Sequence, residues 1–248
     1  MKISLITGTY NSEEYIQDCV SSINEQDYTT IEHIIIDGAS TDNTIHIINN
    51  TENRVTKIVS EPDNGIYDAM NKGIQLATGD VIGILNSDDF YTNSNVISTV
   101  ISAFINNEVD CVYGNLFYVD QKNPSIIKRK WITGEYNLKK GFKNGWHPAH
   151  PAFFVKKEIY NKYGSFDTNF KIAADFELML RFLDKHKISS HYIPEALVRM
   201  RLGGESNKSY QSNIDGNKEC IKAFKKNDLS ISKLYPIVRL LPKLKQYF

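Results

Sequence analysis

Five short polar clusters contain the side chains that could do chemistry, and the first has two adjacent carboxylates. Asn86–Asp89 reads Asn-Ser-Asp-Asp and follows the apolar run Val81–Leu85. Neighbouring carboxylates suit a hard divalent cation such as Mg²⁺, which takes one or two protein carboxylates and completes its shell with water and phosphate oxygens. The cluster therefore indicates a metal site for a nucleoside diphosphate. A simple turn is the alternative, since Asn, Ser and Asp favour turns.

Two further clusters offer groups that could hold a nucleobase. Asp37 ends another apolar run, and its carboxylate could accept a hydrogen bond from a base N–H, whereas Ser40 and Asp42 could equally cap a helix. Tyr10, within Thr9–Asn11, could stack on a base, because aromatic side chains are good platforms for nucleobases. The alternative for Tyr10 is an aromatic ring that covers the edge of a sheet.

The last two clusters lie in the second half of the chain. His147 and His150 belong to a proline-containing stretch, and they could bind a metal, act as a base or contact an acceptor. A structural histidine is the alternative, and it is the better interpretation for His147. Asp175 stands at the start of an amphipathic pattern. Its carboxylate is either a general base, which must reach a hydroxyl, or an acid that favours the helix N-terminus.

Strand and helix patterns alternate four times over the first hundred residues. The predicted strands are short apolar runs at Ile3–Ile6, His33–Ile36, Val55–Val59 and Val81–Leu85. The predicted helices cover Tyr15–Ile23 after Ser12, the stretch opened by Ser40 and Asp42, Ile66–Ala77 and Val96–Ile105. This alternation predicts an α/β fold with a doubly wound, mostly parallel sheet. Ligands of such sheets bind beyond the carboxyl ends of the strands, where the first three clusters lie.

After residue 109 the pattern changes. Cys111–Val119 and Ile126–Ile132 predict a hairpin, and apolar residues after Asp175 recur at helical spacing. Two short strands are predicted at Ser190–Ile193 and Leu197–Leu202. The tail is predicted to be helical, with interruptions at Pro236 and Pro242.

The composition excludes several classes of protein. Hydrophobic residues make up 41% and aromatic residues 11% of the 248 residues, which excludes a mainly disordered chain. The formal net charge is zero, which argues against a nucleic-acid partner. The three cysteines are far apart, so they predict reduced thiols in a cytoplasmic chain. No apolar run approaches the roughly 18 residues of a membrane span.

Charge is distributed unevenly along the chain. Residues 1–100 contain 4 basic and 15 acidic side chains, whereas residues 208–248 contain 9 basic and 3 acidic ones. The asymmetry indicates two surfaces with different partners, or simply solvated faces that segregate by sign.

In order and spacing, the clusters resemble family 2 glycosyltransferases with the GT-A fold. The resemblance covers about residues 1–205 and rests on Thr7–Asn11, Asp37–Asp42, Glu61–Gly65 with Asn71 and Lys72, Asn86–Asp89 and Ala173–Leu178. The run Ser60–Gly73 especially resembles the branch that includes colanic-acid-type and O-antigen glycosyltransferases. The resemblance implies a Rossmann-like donor half (residues 1–105), a smaller acceptor half (residues 106–205), and a lid segment with a basic helical tail (residues 206–248).

The resemblance also implies a role for each matching residue. Contacts to the nucleotide sugar would come from Thr9, Tyr10, Asp37, Asn64, Asn71, Lys72, Asn86 and Ser87. Asp88 and Asp89 would hold Mg²⁺ or Mn²⁺, and Asp175 would be the catalytic base. His150 and Arg181 would lie on the acceptor side.

Two positions depart from the family pattern. Asn86 stands where the family often has Asp, so it adds no charge to the metal site, although it keeps an acceptor for a ribose hydroxyl. Ala174 stands before the base, where the family often has Glu, but Asp175 itself is retained.

The implied activity is inverting transfer of a sugar from a nucleoside-diphosphate sugar, with UDP favoured. The implied acceptor is a hydroxyl of a glycan or polyprenyl-linked glycan in bacterial envelope polysaccharide synthesis. Two alternatives remain open: a non-catalytic nucleotide-sugar-binding protein, since Asn86 and Ala174 both lack a carboxylate, and a sugar-phosphate nucleotidylyltransferase, whose glycine-rich N-terminal loop is missing. A dinucleotide dehydrogenase is excluded, because no G-x-G-x-x-G follows the first strand.

Basic and apolar residues are interleaved in the tail, residues 233–248. The basic residues are Lys233, Arg239, Lys243 and Lys245. This pattern suits an anionic membrane surface, so the chain is expected in the cytoplasm or at the inner face of the cytoplasmic membrane. The alternative is a C-terminal helix that packs on the protein. Gly203–Ser206 predicts either a lid over the donor, since glycines permit bending, or a turn.

Overall fold

A computed structural model of the protein describes residues 1–139, 141–203 and 210–240. Within these residues the strands are β1 (Ile3–Thr9), β2 (Ile31–Asp37), β3 (Val55–Ser60), β4 (Val81–Ile84), β5 (Phe90–Tyr91), β6 (Cys111–Val119), β7 (Ile127–Trp131), β8 (Phe153–Lys156) and β9 (Ser190–Arg201). The helices are α1 (Ile16–Asn24), α2 (Thr44–Asn50), α3 (Ile66–Leu76), α4 (Val96–Asn107), α5 (Lys157–Tyr163), α6 (Ala174–Leu180), α7 (Tyr210–Lys226) and α8 (Tyr235–Val238). A π-helical turn, Arg181–Lys185, continues α6, and 3-10 turns cover Phe142–Asn144 and His150–Ala152.

All the strands described belong to one sheet. Its order is β3-β2-β1-β4-β8-β6-β9-β5, and β7 pairs with β6. Strands β1 to β4 are parallel to one another, and β8 is antiparallel to both β4 and β6. Because β9 is parallel to β6, six strands share one direction, and β5, β7 and β8 oppose it. The predicted α/β class with a mostly parallel, doubly wound sheet is confirmed.

Helices cover both faces of this sheet. On one face Leu5 of β1 packs in a cluster with Ile23 of α1 and Val100 of α4. On the other face the next residue, Ile6, packs with α3, α6 and α7. Alternation along a strand explains why neighbouring residues serve opposite layers. Gly73 lets α3 approach β1 closely, since a Cβ there would lie 2.3 Å from Cγ2 of Ile6.

The two halves that the sequence analysis separates at residue 105 share this sheet and its core. β8 and β6 from the second half pair next to β4 from the first half. Ile6 and Ile84 pack in the same buried cluster as Phe176 and Phe224. The boundary at residue 105 therefore separates two parts of one packed unit.

Two elements of the second half differ from the prediction. The two short strands predicted at Ser190–Ile193 and Leu197–Leu202 are a single strand, β9. Pro194 falls where the register with β6 shifts, so it causes an irregularity and not an end. Strand β8 was not predicted, because the stretch before it is rich in His and Pro and has no clear period.

Helix starts also differ in part. The side chain of Ser12 does not cap α1, because its Oγ donates to the carbonyl of Tyr10. Asp42 does cap α2, since its Oδ1 accepts the N–H of Thr44 at 3.0 Å. Ser40 contributes to a different structure, described below.

The described part of the tail, residues 210–240, contains two helices, α7 and α8, which are separated by non-helical residues 227–234. Pro236 lies in the first turn of α8, where it is tolerated, and does not interrupt the helix. Tyr235 is buried against Phe224, so the first part of the basic segment packs on the protein. Pro242, Lys243 and Lys245 in the tail, and 204–206 of the predicted lid, lie outside the described residues. Among the described residues, no helix is long and apolar enough to cross a membrane.

Candidate functional site

The predicted site residues converge because of strand direction. β1, β2 and β4 end at one edge of the sheet, which we call the carboxyl edge, and β6 and β9 end there too. Since β8 is antiparallel, the loop that precedes it, with His147 and His150, reaches the same edge. Helix α6 leads back to the start of β9, so its first turn, with Asp175, also lies at that edge.

Asp37 is a fixed hydrogen-bond acceptor at the end of β2. It is fully buried. Its carboxylate accepts the N–H of Ser40 at 3.0 Å, the hydroxyl of Ser40 at 2.5 Å and the hydroxyl of Ser60 at 2.6 Å. A carboxylate offers about four lone-pair positions, so one remains for a ligand donor.

The loop after β1 presents an aromatic ring to solvent. Tyr10 is 62% exposed, while Oγ1 of Thr9 is buried without a hydrogen-bond partner among the described residues. Asn11 adopts a positive φ of 47° and fixes the loop, because its Oδ1 accepts the N–H of Thr41 at 2.9 Å. Gly38 lets Asp63 and Tyr10 come close to the chain, since a Cβ there would lie 2.7 Å from Oδ2 of Asp63 and 3.3 Å from Cδ2 of Tyr10. Gly38 was not singled out from the sequence.

The cluster after β4 is folded on itself. Nδ2 of Asn86 donates to Oδ2 of Asp89 at 3.0 Å, and Oγ of Ser87 lies 2.9 Å from Oγ of Ser12. Asp89 is fully buried, and its Oδ1 has no hydrogen-bond partner in the described part of the chain. Burial, together with the neighbouring carboxylate of Asp88, raises the pKa of Asp89 well above its usual range.

Arg201 at the end of β9 supports this cluster and was not identified from the sequence. Its Nη1 donates to the carbonyl of Asp88 at 2.8 Å, and its Nη2 pairs with the carboxylate of Asp18. The guanidinium lies 4.9 and 5.0 Å from the ring centres of Tyr15 and Phe90. Burial raises the pKa of Asp88, and the charge of Arg201 opposes that rise. No sequence signal connects residues 113 positions apart.

The donor atoms at Asp88 and Asp89 fit a divalent cation. The buried Oδ1 of Asp89 has no described partner, and the carboxylate of Asp88 lies beside it. In residues 1–139, 141–203 and 210–240, no three His, Cys, Asp or Glu residues are grouped to hold a metal by themselves. Two carboxylates suffice for Mg²⁺ or Mn²⁺ where water and phosphate oxygens complete the shell.

Asp175 lies in the first turn of α6 and is held by two donors. The N–H of Phe176 donates to its Oδ1 at 2.8 Å. The hydroxyl of Tyr67, from α3, lies 3.3 Å from the same oxygen and 2.8 Å from the carbonyl of Ile172. Burial and the nearby carboxylate of Asp175 raise the pKa of Tyr67, so this hydroxyl keeps its proton and donates it. Tyr67 was not identified from the sequence.

The two histidines differ in their surroundings. The ring of His150 packs edge-on against Phe166, 5.4 Å between centroids. Burial lowers the pKa of His150, and the charge of Asp175 opposes that shift, so the imidazole stands in the field of the carboxylate. His147 is wedged edge-on between Trp131 and Phe176. The structural interpretation of His147 is therefore the one that the geometry supports.

Three residues that the resemblance places near the nucleotide, just before α3 and on it, form local contacts. Asn64 bonds Asp68 through its backbone N–H at 3.0 Å. Asn71 binds the backbone of Phe166 twice, at 2.9 Å through Nδ2 and 2.9 Å through Oδ1. Lys72 forms an ion pair with Glu61 at 2.8 Å. Asn71 thus ties α3 to the loop before α6, and its predicted nucleotide contact has no support in this geometry.

Arg181 does not lie with the other site residues. It is buried one turn beyond Asp175 and forms an ion pair with Glu177, 3.1 Å from Nη2 to Oε2. Its guanidinium also donates to the carbonyls of residues 163, 164 and 165. All three of its nitrogens are engaged, so the side chain holds the loop before α6, and its predicted acceptor contact has no support here.

Comparison with known proteins identifies the family of the chain. The Glycosyl transferase family 2 pattern matches residues 4–164. The protein named Uncharacterized glycosyltransferase Rv1514c, of Mycobacterium tuberculosis, is 33% identical over 183 residues, which are 72% of this chain and 68% of that protein. The chain therefore belongs to Glycosyl transferase family 2, as its motifs predicted.

Solved structures share the fold. Staphylococcus aureus TarS 1–349 in complex with UDP-GlcNAc has a TM-score of 0.70 at 18% identity, over 95% of this chain and 69% of that one. A longer TarS chain is covered over 54% of its length. The mannosyltransferase PcManGT of Pyrobaculum calidifontis, in complex with GDP-Man and Mn²⁺, has a TM-score of 0.67 at 19% identity, over 98% and 69%. At these identities the likeness concerns the GT-A-like fold alone.

Proposed function

We propose that this chain is an inverting glycosyltransferase that moves a sugar from a UDP-sugar to an acceptor hydroxyl. One observation carries the proposal: a partly exposed carboxylate, Asp175, begins a helix at the same sheet edge as Asp37, Tyr10 and the Asp88–Asp89 pair. A catalytic base, contacts for the nucleotide and ligands for a metal are thus available to one substrate. Family membership supports the class of reaction.

The donor is proposed to bind across the ends of β1, β2 and β4. The exposed ring of Tyr10 offers a stacking face for the base, and the free lone pair of Asp37 can accept its N–H. Uracil provides such an N–H. The complex of TarS with UDP-GlcNAc supports UDP, whereas PcManGT was solved with GDP-Man.

Asp88 and Asp89 are proposed to hold Mg²⁺ or Mn²⁺. When bound, the cation would neutralise charge on the departing diphosphate. The residues of the chain have separate tasks. Arg201 fixes the backbone at Asp88, and Asn86 fixes the orientation of the Asp89 carboxylate.

Asp175 is proposed to take the proton of the acceptor hydroxyl as that oxygen attacks the anomeric carbon. The bond from that carbon to the diphosphate breaks as the new one forms, so the configuration inverts. Both described hydrogen bonds to Asp175 use Oδ1, which leaves Oδ2 for the proton. His150 is a neutral imidazole near pH 7, since burial lowers its pKa, and it can hydrogen-bond the acceptor beside the base.

The acceptor is proposed to be a glycan or polyprenyl-linked glycan of the bacterial envelope, in the branch that includes colanic-acid-type and O-antigen enzymes. Such an acceptor would bring the enzyme to the inner membrane face. Exposed Leu234, Ile237 and Leu240 lie near Lys233 and can contact an anionic bilayer. Co-sedimentation of the intact chain with anionic and neutral vesicles tests that contact.

Calorimetric titration of UDP, with and without Mn²⁺, tests the donor site. We expect UDP binding by the wild type that depends on Mn²⁺ and is lost in Asp88→Ala. UDP binding that is the same with and without Mn²⁺, and the same in Asp88→Ala as in the wild type, would contradict the proposed metal site. If UDP does not bind under either condition, the same titration with GDP decides between another nucleotide and a chain without a donor site.

Replacement of the base tests catalysis separately from binding. Asp175→Asn should leave UDP affinity within about two-fold and lower turnover by about 10²–10⁴-fold, because proton removal by a positioned base contributes that much. The measurement is UDP release from a panel of UDP-sugars with saccharide acceptors. Unchanged turnover in Asp175→Asn would exclude Asp175 as the base, and no turnover by the wild type would favour a binding protein.

A further inference from the structure

The loop that leads into the proposed catalytic helix has an unusual support. Helix α6 has no side-chain cap of its own at Ala173. A helix start leaves backbone N–H groups without intrahelical partners, and these need an acceptor. The segment just before this start, residues 171–173, is instead held from α7, through the carboxylate of Glu219.

Glu219 accepts three consecutive backbone N–H groups. Its Oε1 binds the N–H of Lys171 at 2.8 Å. Its Oε2 binds the N–H of Ile172 at 2.9 Å and the N–H of Ala173 at 2.8 Å. Hydrogen bonds to an ionised carboxylate are roughly twice as strong as neutral ones, so this is a firm attachment.

The same peptide is held from the opposite side by α3. The hydroxyl of Tyr67 donates to the carbonyl of Ile172 at 2.8 Å and lies 3.3 Å from Oδ1 of Asp175. Ile172 is therefore bound through its N–H by Glu219 and through its C=O by Tyr67. The position of Asp175, three residues later, follows from these two anchors.

Helix α7 is shaped to provide this attachment. Gly216, one turn before Glu219, lets α7 approach the loop, since a Cβ there would lie 3.3 Å from Cγ2 of Ile172. In the middle of α6, the buried Oε1 of Glu177 accepts a hydrogen bond at 2.9 Å from Nδ2 of Asn227, which stands at the end of α7. The loop before α6 and the middle of α6 are thus both fastened to α7, which lies outside the residues 4–164 that match the family pattern.

We propose that Glu219 is a positioning residue that sets the place of Asp175 for proton removal. The inference rests on the proposed function, because it assumes that Asp175 is the base. It assigns to the C-terminal segment a part in catalysis, through the backbone of residues 171–173. A displacement of about 1 Å in a reacting group can lower a rate by about 100-fold.

The test compares Glu219 with Asn227, a matched control on the same helix. Glu219→Ala removes all three anchoring bonds, whereas Glu219→Gln keeps one acceptor oxygen for Ile172 and Ala173. Asn227→Ala removes a buried bond to Glu177 of α6 and leaves the three bonds to the loop at residues 171–173 in place. For each variant we would measure the kcat for UDP release from UDP-sugars, the Kd for UDP with Mn²⁺, and amide hydrogen exchange over residues 171–176.

We expect kcat to fall by about 10- to 100-fold in Glu219→Ala and by a smaller factor in Glu219→Gln. The Kd for UDP should stay within about two-fold, and amide exchange should rise at residues 171–173. In Asn227→Ala, kcat should stay within about two-fold despite a similar loss of stability. Equal losses of kcat in Glu219→Ala and Asn227→Ala, or unchanged exchange at residues 171–173, would overturn the inference.

The experiments distinguish failure of the proposed function from failure of the positioning role of Glu219. If the wild type turns over but Asp175→Asn does too, the base assignment fails and the inference fails with it. If Asp175→Asn is inactive while Glu219→Ala keeps full kcat, only the positioning role of Glu219 is wrong.

Discussion

Two buried carboxylates at opposite edges of the same sheet have opposite environments. At the amino edge, Glu32 of β2 is 6% exposed and accepts bonds from the ammonium of Lys2 at 2.9 Å, the hydroxyl of Ser4 at 2.5 Å and the N–H of Thr78 at 2.7 Å. At the carboxyl edge, Asp89 is fully buried and has one oxygen without a partner among the described residues.

The pKa values of the two groups follow from this difference. Burial acts to raise the pKa of Glu32, but the bonds from Lys2, Ser4 and Thr78 outweigh it and lower that pKa to about 2. Burial and Asp88 raise the pKa of Asp89. One carboxylate thus stabilises the fold, whereas the other is held at a cost that a ligand can offset. The comparison separates residues kept for folding from residues kept for chemistry.

Asp89→Asn should have a large effect on function and little effect on stability. Turnover and Mn²⁺-dependent UDP binding should fall by about 10²–10³-fold, because charge stabilisation at the leaving group is lost. Metal-free stability should stay the same or rise, since a buried, incompletely paired carboxyl is removed. Urea unfolding without metal checks the second part. If Asp89→Asn lowered the free energy of unfolding by more than about 1 kcal/mol, Asp89 would stabilise the fold as Glu32 does, and the two carboxylates would not differ in this respect.

Glu32→Gln should show the reverse behaviour. The free energy of unfolding should fall by about 3 kcal/mol, because the ammonium of Lys2 and the N–H of Thr78 lose a charged acceptor. UDP affinity, measured well below the unfolding temperature, should stay within about two-fold, since the amino edge is remote from the donor site. Urea unfolding and calorimetry measure both quantities.

The stabilisation by Glu32 should depend on pH, and Glu32→Gln allows this to be measured. The folded pKa of Glu32 is about 2, against 4.5 for an unperturbed group, so its stabilisation is complete above pH 4.5 and is lost as pH falls toward 2. The stability difference between wild type and Glu32→Gln should therefore narrow over that range. A difference that does not change with pH would show that Glu32 acts through packing.

Tyr10→Ala should have the smallest effect, and only on binding. UDP affinity should fall by about 1 kcal/mol, or roughly five-fold, because a stacked base contributes at least that much. Stability should change by less than about 0.5 kcal/mol, since the ring is 62% exposed and supports no core. Tyr10→Phe is the matched control and should bind UDP like the wild type. Unchanged affinity in Tyr10→Ala would indicate that the ring only covers the sheet edge.

The sequence predicted the parts of the molecule that depend on local pattern. The apolar runs of β1, β2 and β4 are buried and regular, so alternation with helices was enough to predict the mostly parallel sheet. A ligand site at its carboxyl edge stays a prediction. The donor-side clusters follow directly from those strand ends. Strand β8 could not be predicted, because the aromatic stretch before it has no local periodicity and β8 forms by pairing with β6. The continuity of β9 could not be predicted either, because Pro194 suggests a break and only pairing with β6 continues the strand past it.

The residues that hold the candidate site in place could not be predicted from the sequence for a different reason. Arg201 contacts Asp88, and Glu219 contacts Ile172, across 113 and 47 residues. Such pairs are created by the packing of distant elements. The family resemblance implied an acceptor-side role for Arg181, whereas the structure shows its guanidinium in a buried ion pair with Glu177, a contact that the sequence did not predict.

The shift in register within β9 has a consequence for insertions and deletions. Tyr113 pairs with Tyr192, but Asn115 pairs with Ala196, so β9 has two more residues than β6 between these positions. Arg201 reaches Asp88 only with those residues present. Deletion of one of these residues would point every later side chain of β9 to the opposite face of the sheet. It would also bring Leu202 to the position that Arg201 occupies. Length variation among homologous chains should therefore be rare between residues 192 and 201 and concentrate in the turn after β6.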